Sequence, residues 1–130
     1  AAPVAWALAL AGGASVLVAL IQYFAPALAD GVLVAATTSP GRAVGNMRQP
    51  NHLATLLLCA MVWTAWLWQA GRLQPRLAVA AVVAMVLALV LSASRTGALS
   101  LAVLLLWAWA DRSLPRAARW TLAATPLVYA

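Results

Sequence analysis

Three arginines stand next to apolar segments, in positions that suit the binding of an anionic group. Arg95 lies in the tetrapeptide SRTG, and Arg42 and Arg48 lie in a polar stretch between two apolar runs. A guanidinium group binds phosphate oxygens through paired hydrogen bonds, and a helix N-terminus adds free N–H groups and positive potential. Ser94 is a good helix-capping residue, so we expect Arg95 in the first turn of a helix. The pattern predicts a phosphate-binding site around Arg95.

Roles without a substrate remain open for the same three residues. Arg95 at a membrane edge can extend to lipid headgroups or cap the C-terminus of a neighbouring helix. Arg42 and Arg48 can contact headgroups equally well. The residue types alone leave both interpretations standing.

A second polar motif, residues 45–54 with the sequence GNMRQPNHLA, precedes an apolar run. Pro50 disfavours helical geometry at Gln49, so a helix is expected to begin here. Asn51 is expected to cap that helix, with His52 in its first turn. Histidine is the residue type that suits a general base near neutral pH, but no acidic residue lies close to His52 in the sequence.

The composition predicts an all-α fold, a polytopic bundle of transmembrane helices. Hydrophobic residues make up 66% of the chain. The charged residues are eight arginines and two aspartates, which gives a net charge of +6. Few charged side chains are available to cover a water-exposed surface, whereas apolar runs of membrane-spanning length recur. The predicted spans cover about residues 3–25, 52–70, 75–93, 94–110 and 120–130.

These spans are expected to form a single transmembrane region, residues 1–130, within a larger membrane protein. The chain starts without methionine and ends inside an apolar run, which is typical of an internal fragment. Between the first two spans, residues 26–50 are rich in Gly, Pro and polar residues, which predicts an irregular loop. A short interfacial helix is expected at residues 31–36 of this loop.

Several classes of partner are not expected. The arginines lie singly between apolar spans rather than clustered on one polar face, which argues against nucleic acid. Cys59 is the only cysteine and His52 the only histidine, so neither a metal site nor a cofactor is expected. The expected surroundings are a lipid bilayer.

The positions of the arginines also predict orientation. Basic turns at 71–76 and 111–119 lie on the cytoplasmic side under the positive-inside rule. The loop at 26–51 and the turn at 94–97 then face the periplasm, in a multi-pass protein of the bacterial inner membrane. The positive-inside rule does not explain the arginines on the periplasmic side, which are Arg42, Arg48 and Arg95.

Residues 45–54, followed by residues 91–97 with the sequence LSASRTG, resemble the O-antigen ligase and polymerase superfamily. The closest branch is that of the bacterial protein O-oligosaccharyltransferases that glycosylate pilins. The resemblance covers about residues 40–110. The motif positions expected to have a structural role are Gln49, Pro50, Asn51, His52, Ser94, Thr96 and Gly97.

The resemblance implies an inner-membrane enzyme that moves an oligosaccharide from undecaprenyl diphosphate to a periplasmic acceptor. That acceptor is a pilin-like protein, the lipid A core or a growing polymer. Arg95 occupies the matching Ser-Arg motif and is expected to bind the diphosphate. Arg48 and Arg42 are expected as further ligands from their place on the same side of the membrane, not from the family motif. The family's essential histidine lies in a large periplasmic loop nearer the C-terminus. No catalytic residue is therefore expected in this chain, which alone should be inactive, and His52 does not take that role.

Two other functions remain open. One is a multipass transporter or channel for an anionic substrate, and the other is a membrane scaffold without a substrate. Transporters usually have spans interrupted near the middle of the membrane, whereas the second and third spans here are nearly unbroken. That contrast favours the enzyme.

Overall fold

The computed structural model describes residues 1–37 and 40–110, and all regular structure within them is helical. The helices are α1 (Ala2–Phe24), α2 (Pro50–Gln69), α3 (Pro75–Ser92) and α4 (Arg95–Ala110), with a 3-10 turn at Pro26–Leu28. The predicted all-α class is confirmed. The basic turn at 111–119 and the span at 120–130 lie outside the described residues.

Three of the helices are long and apolar enough to cross a membrane. They are α1, α2 and α3, with 23, 20 and 18 residues. At 1.5 Å per residue α3 alone is roughly 27 Å long, close to the thickness of a hydrocarbon core. The outer faces carry large exposed apolar side chains, among them Leu10, Leu17, Val83, Leu99, Val103 and Leu106. Water would solvate such a surface poorly, whereas lipid or further helices would cover it well.

Helix α2 lies at the centre of the packing. It contacts α1, α3 and α4, while α1 also packs on α3 and α4 also packs on α3. The largest fully buried apolar side chains come from α2 and α3, and they are Leu53, Leu57, Met61, Leu67, Met85, Val86 and Leu89. The position of α2 therefore determines where the other three helices lie.

A small residue allows α1 to approach α2 and α3 closely. A Cβ atom placed on Gly12 would overlap the Cβ of Ala60 and would lie 3.0 Å from Cε of Met85. The neighbouring Gly13 faces open space. Since backbones without side chains can approach more closely, Gly12 marks the tightest contact of this kind among the described glycines.

The turn between α2 and α3 is a Schellman motif. The N–H of Arg72 donates to the carbonyl of Leu67, and the N–H of Gly71 donates to the carbonyl of Trp68. Gly71 has φ of 68°, the left-handed conformation that this motif requires. Pro75 is the first residue of α3, where a missing N–H needs no partner.

Two residues, Ala93 and Ser94, separate α3 from α4. Ala93 has φ of 49° and ends α3, and α4 begins at Arg95. The chain reverses at this point, so α4 returns alongside α2. The end of α1, the start of α2, the end of α3 and the start of α4 consequently lie together, and we call this the motif end of the bundle.

The prediction of a short helix at residues 31–36 is wrong. Residues 31–34 form bends, and Gly31 has φ of 78°. One oxygen of Asp30 accepts hydrogen bonds from the N–H groups of Val32, Leu33 and Val34, at 2.8–3.0 Å. The carboxylate satisfies these donors in a compact turn, so no helix is needed to do so.

These hydrogen bonds also set the charge state of Asp30. The bond from the N–H of Val34, followed by that from Val32, holds the pKa of the Asp30 carboxyl below its usual value. A carboxylate that accepts backbone N–H bonds is favoured over the protonated form. Asp30 therefore stays ionised to lower pH than a free aspartate.

The Gly12 contact makes a stability prediction with a built-in control. Gly12→Ala should destabilise the bundle by about 1–3 kcal/mol, the usual range for overpacking a well-filled site. Gly13→Ala adds the same methyl group to open space and should be neutral or slightly stabilising. The measurement is the unfolding free energy of the purified protein in detergent. Equal effects of the two substitutions would contradict the close contact.

The Asp30 turn makes a prediction about pH. Because its pKa is lowered on folding, the bonds stabilise the turn above the usual carboxyl range, and this stabilisation is lost as pH falls through the lowered pKa. Amide hydrogen exchange at residues 32–34, corrected for intrinsic rates, should show protection that decreases on acidification. Asp30→Asn keeps an acceptor oxygen without a titratable charge, so its protection should not change with pH. If protection in the unsubstituted protein did not change with pH, the Asp30 carboxylate would not be what stabilises the turn.

Candidate functional site

The two polar motifs, separated in sequence, are in direct contact at the motif end. The hydroxyl of Ser94 donates a hydrogen bond of 2.8 Å to Oδ1 of Asn51. Ser94 immediately precedes α4, and Asn51 is the second residue of α2. The bond therefore joins the N-termini of two helices that lie side by side.

Ser94 also caps α4, as its residue type predicts. Its Oγ accepts a hydrogen bond of 3.0 Å from the N–H of Gly97, three residues ahead. This is the usual geometry of a serine cap, which satisfies one of the free donors of a helix start. With only 3% of its surface exposed, Ser94 is held between its own helix and α2. The cap fixes Arg95 as the first residue of α4.

The prediction that Asn51 caps α2 is wrong. Helix α2 begins at Pro50, its N-cap is Gln49, and no side chain makes a capping hydrogen bond there. Asn51 lies inside the helix, and its side chain contacts Ser94 instead. Pro50 accounts for the earlier start, because proline is well suited to the first helical position.

Gly97 brings the start of α4 against α2 and α3. A Cβ atom on Gly97 would lie 2.8 Å from Cβ of Ala54 and 2.7 Å from Cδ1 of Leu89. Real Cβ atoms essentially never come so close, so a side chain at this position would push α4 away. Close packing thus explains why the last residue of SRTG is glycine, and the same packing positions Arg95.

The long loop, residues 25–49, is held by a buried glutamine of α1. The Nε2 group of Gln22 donates to the carbonyls of Ala35 and Gly45, at 2.7 and 3.2 Å. Its Oε1 accepts from the N–H groups of Val44 and Gly45, both at 2.9 Å. Gln22 is 3% exposed and uses both ends of its amide. The loop therefore folds onto the end of α1 instead of extending into solvent.

Asn46 and Ala43 complete the attachment of the loop. Asn46 accepts from the N–H of Ala35 and donates to the carbonyl of Leu33, each at 2.9 Å. The N–H of Ala43 donates to the carbonyl of Leu91, in the last turn of α3, at 2.9 Å. The loop thus contacts α1 through Gln22 and α3 through Ala43, and it leads directly into α2.

A tight turn at residues 45–48 precedes α2. Gly45 has φ of 59°, and a Cβ there would lie 2.9 Å from Cδ1 of Leu53, so both the conformation and the space favour glycine. Arg48 closes the turn with φ of 55°, and its N–H donates to the carbonyl of Gly45. A left-handed conformation is uncommon for arginine and is kept only where the surroundings impose it.

The three candidate arginines lie at the motif end with exposed side chains. Arg95 is the first residue of α4, Arg48 ends the turn before α2, and Arg42 directly precedes Ala43 in the loop. None of them forms an ion pair within residues 1–37 and 40–110. The one carboxylate in that part of the chain, Asp30, is occupied by backbone N–H groups. The guanidinium charges are left available for an anion.

Two further motif residues, His52 and Thr96, are exposed. His52 is the third residue of α2 and Thr96 the second of α4, so both sit in first helical turns. His52 forms no ion pair with any residue that the structure describes. Its surroundings give no sign of a general base prepared by an acidic partner.

Sequence reasoning missed Gln22 and Asn46, which hold the loop in place. A signal for Gln22 was present, because it is the one residue with a polar amide in an otherwise apolar span. A polar side chain within a membrane-spanning helix is expected to have partners. Asn46 carried no comparable signal, since asparagine is ordinary in a loop.

Replacing Gln22 should release the loop. Gln22→Leu leaves backbone donors and acceptors unpaired, each costing about 1–3 kcal/mol if it stays buried, so the loop should detach toward water. Gln69→Leu, at the exposed far end of α2, is the control and should have little effect. Limited proteolysis within residues 29–49 should be faster in Gln22→Leu alone. Equal cleavage rates in both variants would show that Gln22 does not hold the loop.

One of the comparisons with known proteins matches part of the chain. Residues 43–68, which contain the turn at residues 45–48 and all of α2 except its last residue, match the model of a family of protein glycosylation ligases. No curated protein and no solved structure matches the chain. The matched segment includes residues 45–54 in full. Residues 43–68 are thus similar to protein glycosylation ligases, which confirms the predicted family resemblance for this segment.

Proposed function

We propose that this chain is part of a larger membrane enzyme that transfers an oligosaccharide from undecaprenyl diphosphate to a periplasmic acceptor. The acceptor is a pilin-like protein in protein O-glycosylation or the lipid A core in O-antigen ligation. The similarity of residues 43–68 to protein glycosylation ligases supports this, and it favours a protein acceptor. The three apolar helices support a location in a membrane, and the bacterial inner membrane is the one that the proposal requires.

The observation that carries the proposal is the position of Arg95. It is the first residue of α4, exposed, and adjacent to Ser94, which contacts the family-matched segment through Asn51. A helix start has N–H groups without intrahelical acceptors, and a phosphate group accepts from them readily. Guanidinium and helix N-terminus act at the same place.

Charge at the motif end suits a diphosphate leaving group. As the glycan departs, negative charge increases on the diphosphate, and fixed positive groups lower the energy of that transition state. Arg95 is assigned this role, with Arg48 and Arg42 as further ligands on the same end. The chain supplies binding and electrostatic stabilisation, while the base that activates the acceptor is expected elsewhere in the full protein.

A transporter for an anion fits the structure less well. Transporters of that kind commonly use helices broken near the membrane midplane. Helices α1, α2 and α3 are continuous over 23, 20 and 18 residues. The break at Ala93 lies at the motif end, where it positions α4 and Arg95.

The test is glycan transfer by the full-length protein with Arg95 replaced. Arg95→Ala should reduce transfer on the order of 100-fold, the usual cost of losing one donor to a transition-state anion, and Arg95→Lys should restore part of it. Transfer is scored by the gel shift of the acceptor at matched membrane abundance. Arg76→Ala is the control, because Arg76 is also an exposed arginine in the first turn of a helix, at the opposite end. Normal transfer in both Arg95 variants would overturn the assignment.

A further inference from the structure

Asn51 has an amide of which only one half is engaged by the protein. Its Oδ1 accepts from Ser94, and its side chain is exposed at the motif end. Within the described part of the chain, no acceptor contacts its Nδ2 group. Asn51 therefore presents two N–H donors outward.

The orientation of this amide is determined by Ser94. A hydroxyl has one proton, and the Oγ of Ser94 already accepts from the N–H of Gly97. Because Ser94 is 3% exposed, its proton must go to a protein acceptor, and Oδ1 of Asn51 is the acceptor present at 2.8 Å. The amide cannot flip without leaving that buried proton unpaired. The bonds of Ser94 to Gly97 and to Asn51 thus fix which atom of the amide is Oδ1, and they leave Nδ2 without an acceptor among the described residues.

The unused hydrogen-bonding capacity of this amide lies mainly in donation, because both N–H groups lack a described acceptor, whereas Oδ1 already accepts from Ser94 and keeps one lone pair. Sugar hydroxyls both donate and accept, so glycan sites usually combine the two kinds of group, whereas a phosphate oxygen only accepts. Arg95, the residue after Ser94, and Arg48, three residues before Asn51, are donors as well. The local chemistry matches an anion with several acceptor oxygens.

We propose that the amide of Asn51 donates hydrogen bonds to an oxygen of the lipid-linked diphosphate, beside Arg95. This inference rests on the proposed function. In this role the charged arginines attract the diphosphate and the neutral amide orients it. The buried hydroxyl of Ser94 is then a positioning group, because it acts on the substrate through Asn51.

The decisive substitution is Asn51→Asp in the full-length protein. Aspartate keeps the shape and the acceptor oxygen for Ser94, and a negative charge in the first turn of a helix is favourable, so thermal stability should be unchanged or higher. The two outward donors are replaced by an oxygen that repels phosphate. Binding of undecaprenyl diphosphate to the purified protein in detergent should weaken about 10- to 100-fold.

Two companion variants separate the lost donor from the added charge. Gln74→Glu makes the same change of amide to carboxylate at the N-cap of α3, at the opposite end, and should bind undecaprenyl diphosphate normally. Asn51→Ala removes the donors without adding charge and should also weaken binding, with some loss of stability because Ser94 loses its acceptor. Undecaprenol, which has no phosphate, should bind all variants equally.

The outcomes distinguish this inference from the proposed function. Wild-type affinity in Asn51→Asp, or in a folded Asn51→Ala, would overturn the role of Asn51 while the Arg95 assignment stands. A weakening of undecaprenol binding equal to that of the diphosphate would overturn it too, since the effect would then come from the lipid chain. A wild-type protein that neither binds the diphosphate nor transfers glycan would overturn both proposals.

Discussion

The arrangement at the motif end depends on one buried amide, that of Gln22. An amide inside an apolar helix is costly unless its donors and its acceptor are satisfied, and Gln22 satisfies them with the backbone of residues 35, 44 and 45. A protein interior and the apolar core of a membrane impose the same requirement, because neither supplies water to the amide. The loop provides partners for Gln22, and Gln22 provides partners for the loop. Each is therefore stable in its observed position because of the other.

The positions of the helix starts and of small residues determine where Arg95 lies relative to the anchored loop. The loop enters α2 at Pro50, and Ala93 reverses the chain so that α4 starts beside α2. Gly97 permits a contact so close that any side chain there would separate the helices. Arg95 owes its position to these backbone constraints. Its location is thus fixed more firmly than that of an arginine on a free loop.

Charge at this end is asymmetric for a physical reason. The one carboxylate among the described residues, Asp30, is ionised and accepts three backbone N–H bonds, while Arg42, Arg48 and Arg95 keep their charges exposed. The starts of α2 and α4 add the positive ends of two helix dipoles at adjacent points. An anion approaching this end of the bundle meets three exposed arginine charges against one carboxylate among the described residues. Salt would screen the exposed guanidinium groups but would affect donors fixed at helix starts less.

The sequence by itself determined the helical class, the apolar helices and the two motifs. Apolar runs of membrane length leave few alternatives, and Pro50, Pro75 and Ser94 mark helix starts through local geometry that needs no tertiary information. The resemblance of residues 45–54 to a glycan-transferring family could also be recognised from the sequence motif alone. Tertiary structure decided which side chains meet. Asn51 has the residue type of a cap but bonds to Ser94, and Asp30 folds its turn into bends where a helix was expected. The bond between Asn51 and Ser94 and the four bonds of Gln22 join residues that are distant in the chain, so a local sequence pattern cannot predict them. The turn at Asp30 reflects a choice between local hydrogen bonds of similar strength, which the residue types alone do not settle.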